Sequence, residues 1–247
     1  NAGDAQRLLA DAADLLADAT HCAAFSCALA DAGDVIQGVQ LIPAGGGRAM
    51  LVMLTAGGRI KSSICRLNCP ADDGFMAAFY DVMHSTFIGT RLSDVSIATV
   101  QSTAVTLGSR IFDMLPVLSS LCALCAETRQ DSLLFAGETN LLSHEELGNE
   151  VYKLLTFLTN RPRFLTLAKQ FADAPARSAL FIGEENPYFE LKNTATMLCS
   201  LHYNSQQRAV LGVIGSTRMD YATIVPRAQY IMNKTTDLLA EGGITNG

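Results

Sequence analysis

The strongest constraint on the fold is a run that changes character twice within about thirty residues. Ala209 to Ile214 is apolar and rich in β-branched residues, Gly215 interrupts it, a polar cluster follows at 216–221, and helix-spaced apolar residues come next. The first part predicts a strand ending at Gly215. Ser216 and Thr217 offer hydroxyls to the free amides of a helix start, with Asp220 three residues after Thr217 as in a loose capping box. Ile224, Val225, Ala228, Ile231, Met232, Thr235, Leu238 and Leu239 then line one helical face, with Pro226 either in the first turn or at a kink. A strand and a helix that must both bury apolar surface therefore hold a polar cluster between them.

The rest of the chain supplies partners for that pair. Residues 4–19 place Leu8, Leu9, Ala12, Leu15, Leu16 and Ala19 on one helical face, with Asp11, Asp14 and Asp18 mostly opposite. Three strand candidates follow at 35–42, 48–55 and 60–67, separated by the glycine turns at 44–47 and 56–58, which predicts an antiparallel meander. The triple glycine lacks the Lys-Ser/Thr pair of a phosphate loop and reads as a hairpin turn. From Asp72 the pattern becomes helical. Phe75, Met76, Phe79, Val82, Met83 and Phe87 form one stripe, and Ile111, Met114, Leu115, Leu118, Leu121, Cys122 and Cys125 another. A short strand at 133–136, a turn at 137–140, a helix opening with Ser143 and Glu146 as a capping box, a break at Arg161-Pro162 and another helical segment with Phe164, Leu165, Ala168 and Phe171 follow. Strands return at 179–182, 194–203 and 209–214, the last two joined by a polar loop at 204–207. Strands and terminal helices thus bracket a helix-rich middle, the outline of one α+β domain interrupted by an insert at 73–177, leaving 1–72 and 178–247 as the two parts of the outer domain.

Composition narrows the class. With 49% hydrophobic and 17% charged residues in 247, the chain has ample material for a core. No uninterrupted apolar run approaches the roughly 20 residues of a membrane helix. The formal charge of −6 is not the footprint of a duplex-binding surface. Seven cysteines at irregular spacing fit a reducing cytoplasm better than a disulfide framework, and Cys122 and Cys125, like Cys65 and Cys69, read as packed thiols rather than metal ligands.

The string Ile214-Gly215-Ser216-Thr217-Arg218-Met219-Asp220-Tyr221 resembles the C-terminal signature of the HrcA family of heat-inducible transcription repressors, with Ser216 where that family usually has proline. Phe181 to Asn186, with Gly183, Glu184 and Glu185, is similar to a second family segment. Gly137 to Leu142 is similar to a third, and Leu15 to Phe25 to the family's first helix. The resemblance implies a GAF-like antiparallel sheet with flanking helices, interrupted by an insert that serves in dimerisation. It further implies a homodimer, an inverted-repeat operator upstream of chaperone genes bound through an N-terminal winged helix missing from this sequence, which begins at Asn1, and assistance from the chaperonin GroEL. The alternative from another class is a small-molecule sensor with a nucleotide or metabolite in the GAF-like pocket.

No enzyme motif accompanies these segments. His21, His84, His144 and His202 are widely separated, and no nucleophile motif, metal-binding motif or cofactor fingerprint occurs. Glu184 and Glu185 are the best carboxylate pair, yet adjacent residues at a strand end point in different directions. Arg218 reads either as an anion receptor at a helix N-terminus or as an ion-pair partner of Glu184, Glu185 or Asp220. The expectation is a structural cluster and no catalytic, metal or cofactor site.

Overall fold

Each of the two antiparallel sheets in the computed structural model collects its own helices. The structure describes residues 2–144, 147–148, 150–202 and 208–244. They form two compact units, one of residues 30–130 and the other of residues 4–29 with 131–247.

The larger unit is built on a five-stranded sheet in the order β5-β1-β8-β7-β6: β1 Ala23–Leu29, β5 Ser132–Ala136, β6 Ser178–Ile182, β7 Thr194–His202 and β8 Arg208–Ser216. One face carries α1 (Ala2–Thr20) and α7 (Tyr221–Ile244), where Leu9, Ala13, Leu16, Ala228 and Met232 meet Met197, Leu211 and Val213. The other carries α5 (Glu150–Thr159) and α6 (Arg161–Ala172), where Leu154, Phe157, Phe164 and Phe171 meet Phe25, Leu198, Val210 and Ile214. Because both faces are covered, the central strands β7 and β8 are buried on both sides; β8 is apolar almost throughout, whereas β7 alternates Thr194, Thr196 and Ser200 on one face with Ala195, Met197, Cys199 and Leu201 on the other. An antiparallel sheet with helices on its faces is the α+β arrangement expected of a GAF-like domain.

The smaller unit holds the meander β2 (Ile36–Gly45), β3 (Arg48–Thr55) and β4 (Ile60–Arg66) with α2 (Asp73–Val82), α3 (Ile97–Leu107) and α4 (Ile111–Thr128). Val39, Leu41, Leu51 and Met53 share a core with Phe79, Phe87, Met114, Leu118 and Leu121. The start of α2 is fixed by Asp72, whose carboxylate accepts the Phe75 amide at 2.8 Å. By length and composition α4 could cross a membrane. Its Met114, Val117, Leu118, Leu121 and Cys125 are buried, however, and it packs on β3 and β4 as a core helix.

This partition corrects the boundaries drawn from the sequence. The meander belongs to the insert, which spans 30–130 rather than 73–177, while β5, α5 and α6 belong to the outer unit. The physical cause is core sharing: the inward residues of β2 and β3 have their apolar partners on α2 and α4, whereas α5 and α6 cover β1, β7 and β8. Two finer expectations also shift. Residues 138–143 form a 3-10 turn in which the Ser143 hydroxyl donates to the Asn140 carbonyl at 2.6 Å, and the helix starts only at Glu150. Arg161-Pro162 opens α6 rather than merely ending α5, with Asn160 as its cap and proline in the first turn, where its missing amide costs nothing. Glu146 and the 204–207 loop lie outside the described residues.

Candidate functional site

Strand pairing brings the three signature segments to one end of the larger sheet. Ala136, which precedes Gly137, lies beside Ala24; Ile214 lies beside Ala23; Ser216 lies beside Thr194; and Ile182, which precedes Gly183, lies beside Ala195. Segments spread over some eighty residues of sequence thus leave the same end of the sheet, because β1 is antiparallel to both β5 and β8 while β7 is antiparallel to β6 and β8.

Each segment makes a corner. Gly137 has a positive φ of 64°, and a Cβ there would stand 2.7 Å from the Ala17 methyl, so the α1–β1 turn and the β5 corner touch through a missing side chain. Asn140 then reaches across to the same turn, its side-chain amide donating to the Cys22 carbonyl at 3.1 Å. At the second corner the Glu185 carboxylate accepts the Ile182 amide at 2.8 Å. Asn186, only 4% exposed, donates to the carbonyls of Gly183 and Thr194 at 3.0 Å each, tying the end of β6 to the start of β7. Glu184 projects into solvent with Lys192 at 3.9 Å.

The third corner is the polar cluster after β8. Gly215 lies so close to Cys22 and Met219 that a Cβ would meet their sulfurs at 2.7 and 3.0 Å. Met219 folds back into the core as the cluster's apolar anchor. The Ser216 hydroxyl accepts the Arg218 amide at 3.1 Å, and the Tyr221 hydroxyl donates to the Thr217 carbonyl at 2.7 Å. Helix α7 begins at Tyr221, so its cap is Asp220, whose carboxylate accepts the Thr223 amide at 3.3 Å. Thr217 contributes a backbone carbonyl, and its expected capping role passes to Asp220. Hydrogen bonding to Thr223 holds the Asp220 carboxyl below its ordinary pKa, with the Ala222 amide and the charge of Arg227 acting in the same direction. Arg218 is exposed and makes no ion pair among the described residues; Glu184, Glu185 and Asp220 are engaged elsewhere.

These corners offer hydrogen-bonded turns rather than a reacting group. The buried thiols are poor nucleophiles. Burial pushes Cys27 and Cys125 up to about 12, and Cys22 upward as well. Cys125 donates to the Met53 sulfur at 3.6 Å while Cys122 faces the Ser96 carbonyl at 3.7 Å, so the C-x-x-C pair is split between two local partners. In the smaller unit an open cleft of about 280 Å³ lies between Asp72, Arg110 and Asp113, with Asp72 already occupied as a helix cap. Residue reading alone did not single out Cys22, against which Gly215 closes; its only signal in the sequence is a small apolar residue just before β1.

Comparison with known proteins accords with this geometry. A sequence model described as the HrcA protein C-terminal domain matches residues 6–225. Among curated relatives, the heat-inducible transcription repressor HrcA of Methylobacillus flagellatus is 25% identical over 242 residues, covering 96% of this chain and 69% of the relative. The repressor of the same name from Acetivibrio thermocellus is 19% identical, covering 81% and 58%, and that of Desulforudis audaxviator 26%, covering 84% and 60%. The chain therefore spans between 58% and 69% of the length of these relatives. A crystal structure of a hypothetical protein at 2.2 Å resolution superposes with a TM-score of 0.66 at 19% identity, over 96% of this chain and 68% of that one, and shares its fold.

Proposed function

The chain belongs to the HrcA family, and from that premise we propose that it is the regulatory and dimerising region of a heat-shock transcription repressor that acts in the cytoplasm. The observation that carries the proposal is the match of the HrcA C-terminal domain model over residues 6–225, which takes in both units. In this reading the three corners hold the larger sheet to its helices, and the signature residues Gly183, Glu184, Glu185, Gly215, Thr217, Arg218, Met219, Asp220 and Tyr221 serve architecture rather than chemistry. Operator DNA is contacted by a part of the repressor outside this region, in keeping with the −6 charge. A two-fold operator calls for a two-fold protein, and the insert at 30–130 supplies the homodimer contacts. The chaperonin GroEL assists folding, so that misfolded proteins competing for it lower the amount of competent repressor.

The region carries no catalytic activity in this reading, and the sensor alternative has packing against it. The sheet face beneath α5 and α6, where a ligand pocket would open, is filled by Phe25, Phe135, Phe157 and Phe164, with Phe25 and Phe164 edge to face at 4.6 Å. The test is genetic. Deleting the gene that encodes this chain raises chaperone transcripts at unstressed temperature, and unchanged transcripts overturn the assignment. A thermal-shift screen against nucleotides separates the alternative, since a ligand at a hundredfold its Kd would stabilise by about 2.7 kcal/mol.

A further inference from the structure

The outer face of the three-stranded sheet in the smaller unit lacks the pattern of a solvated surface. An antiparallel sheet with one wet face alternates apolar and polar residues, yet Ala49 to Leu54 of β3 is apolar without a break. Ala49, Leu51 and Met53 turn inward to the core shared with α2 and α4. That leaves Met50, Val52 and Leu54 on the outer side, and the register extends them into rows. Ile42, Met50 and Ile64 lie side by side, as do Leu54 and Ile60. Ile64 is 72% exposed and Ile60 52%.

Two arginines close one end of this face. Arg48 lies directly opposite Arg66, one row beyond Met50 and Ile64, and both are exposed. Like charges so placed repel each other. β2, β3 and β4 contain no acidic residue, and while Lys61 pairs with Glu127 at 2.8 Å, neither arginine has an ion-pair partner among the described residues. Uncovered apolar rows thus end at a cationic pair that lacks its counter-charge.

We propose that this face docks one amphipathic helix of another protein, with acidic residues at the end of its apolar stripe that meets Arg48 and Arg66. Dimensions select a single helix. Three strands spaced about 4.8 Å apart span about 10 Å from β2 to β4, the diameter of one helix. From Arg48 to Leu54 the strand runs about 20 Å, the length of a helix of about 14 residues. The opposite face of the same sheet already carries a helix in this way, α4 on β3 and β4. Charge selects the partner: a second copy of this face would bring two more arginines and no acid, whereas glutamates or aspartates on a helix supply the missing counter-charge. This docking is independent of the homodimer contacts proposed above and of the repressor reading.

Fluorescence anisotropy with the whole chain tests the proposal. The probes are a labelled leucine-alanine helix of about 16 residues with two glutamates at one end of its apolar stripe, and the same peptide with lysines there. The glutamate peptide should bind in the micromolar range and the lysine peptide at least about tenfold more weakly. Arg48→Glu with Arg66→Glu should reverse that preference, and Ile64→Asp should abolish binding of both peptides. Circular dichroism checks that these exposed substitutions leave the chain folded; should one fail to fold, the preference of the wild type between the two peptides decides. A wild type that binds neither peptide, equal binding of both, or a preference that the double charge reversal leaves unchanged overturns the proposal. So does sedimentation velocity in which Ile64→Asp halves the mass of the wild type, since a second copy would then cover the face.

Discussion

Gly212 shows how a missing side chain shapes the sheet. It sits in the middle of β8, opposite Phe25 on β1, and a Cβ there would lie 2.2 Å from the Phe25 ring and 2.9 Å from Leu198. The ring occupies the space that any other residue would fill, and Phe164 stacks on it edge to face. Gly212→Ala should therefore cost about 1 to 3 kcal/mol in denaturant unfolding, as overpacked cores do; an unchanged midpoint would mean that Phe25 can vacate the site. The same scale governs Asp220. Its folded pKa is depressed, so its contribution to stability is present above the unfolded value and disappears as pH falls through the folded one. Asp220→Ala should lower the melting temperature at pH 7, and the gap from wild type should close as the pH falls below the ordinary carboxylate range and through the depressed folded value. A gap that persists in acid would mean that the carboxylate charge is not what caps α7. Thiol reactivity gives a third check. At pH 8 a group at about 12 is thiolate in roughly one part in ten thousand, so Cys27 and Cys125 should resist Ellman's reagent until the chain is unfolded, when all seven cysteines react. Rapid labelling of either in the native state would contradict the burial that sets those values.

Among the elements, the legible ones carried their own local signal. The glycine turns at 44–47 and 56–58 delimit β2, β3 and β4 to within a few residues, and the helix-spaced stripe after Tyr221 becomes α7. β1 was not legible. Ala23-Ala-Phe-Ser-Cys-Ala-Leu29 has no β-branched residue and no alternation, since it is buried almost throughout between β5 and β8, and its first residues pass for the end of a helix. Tertiary contacts, not propensity, make it a strand. The signature segments were recognisable as strings, but their common purpose was not, because nothing local tells Asn140 that the Cys22 carbonyl will be within reach. Asn140→Ala would leave that buried carbonyl without its donor and should destabilise by about 1 to 3 kcal/mol. If hydrogen exchange of the α1–β1 turn and the unfolding midpoint both stay unchanged, the stitch between these corners is not structural.

In the whole molecule, residues 30–130 of one unit interrupt the sequence of the other. Helices and strands could be assigned from sequence without knowing which helices cover which sheet, and the reading that sorted strands to the outside and helices to the middle divided the chain at the wrong places. The cores decide otherwise, and the pairing of β1 with β5 shows where the insert enters and leaves: Ala28 lies opposite Ser132, so Leu29 and Asp131 flank a position that a two-residue turn could close. The direct measurement is thermal unfolding, followed by near-ultraviolet circular dichroism, of a chain in which residues 30–130 are replaced by Asn-Gly. The account predicts a single cooperative transition with native-like aromatic signal from Phe25, Phe164 and their neighbours. A chain with no such signal and a gradual, non-cooperative melt would contradict it.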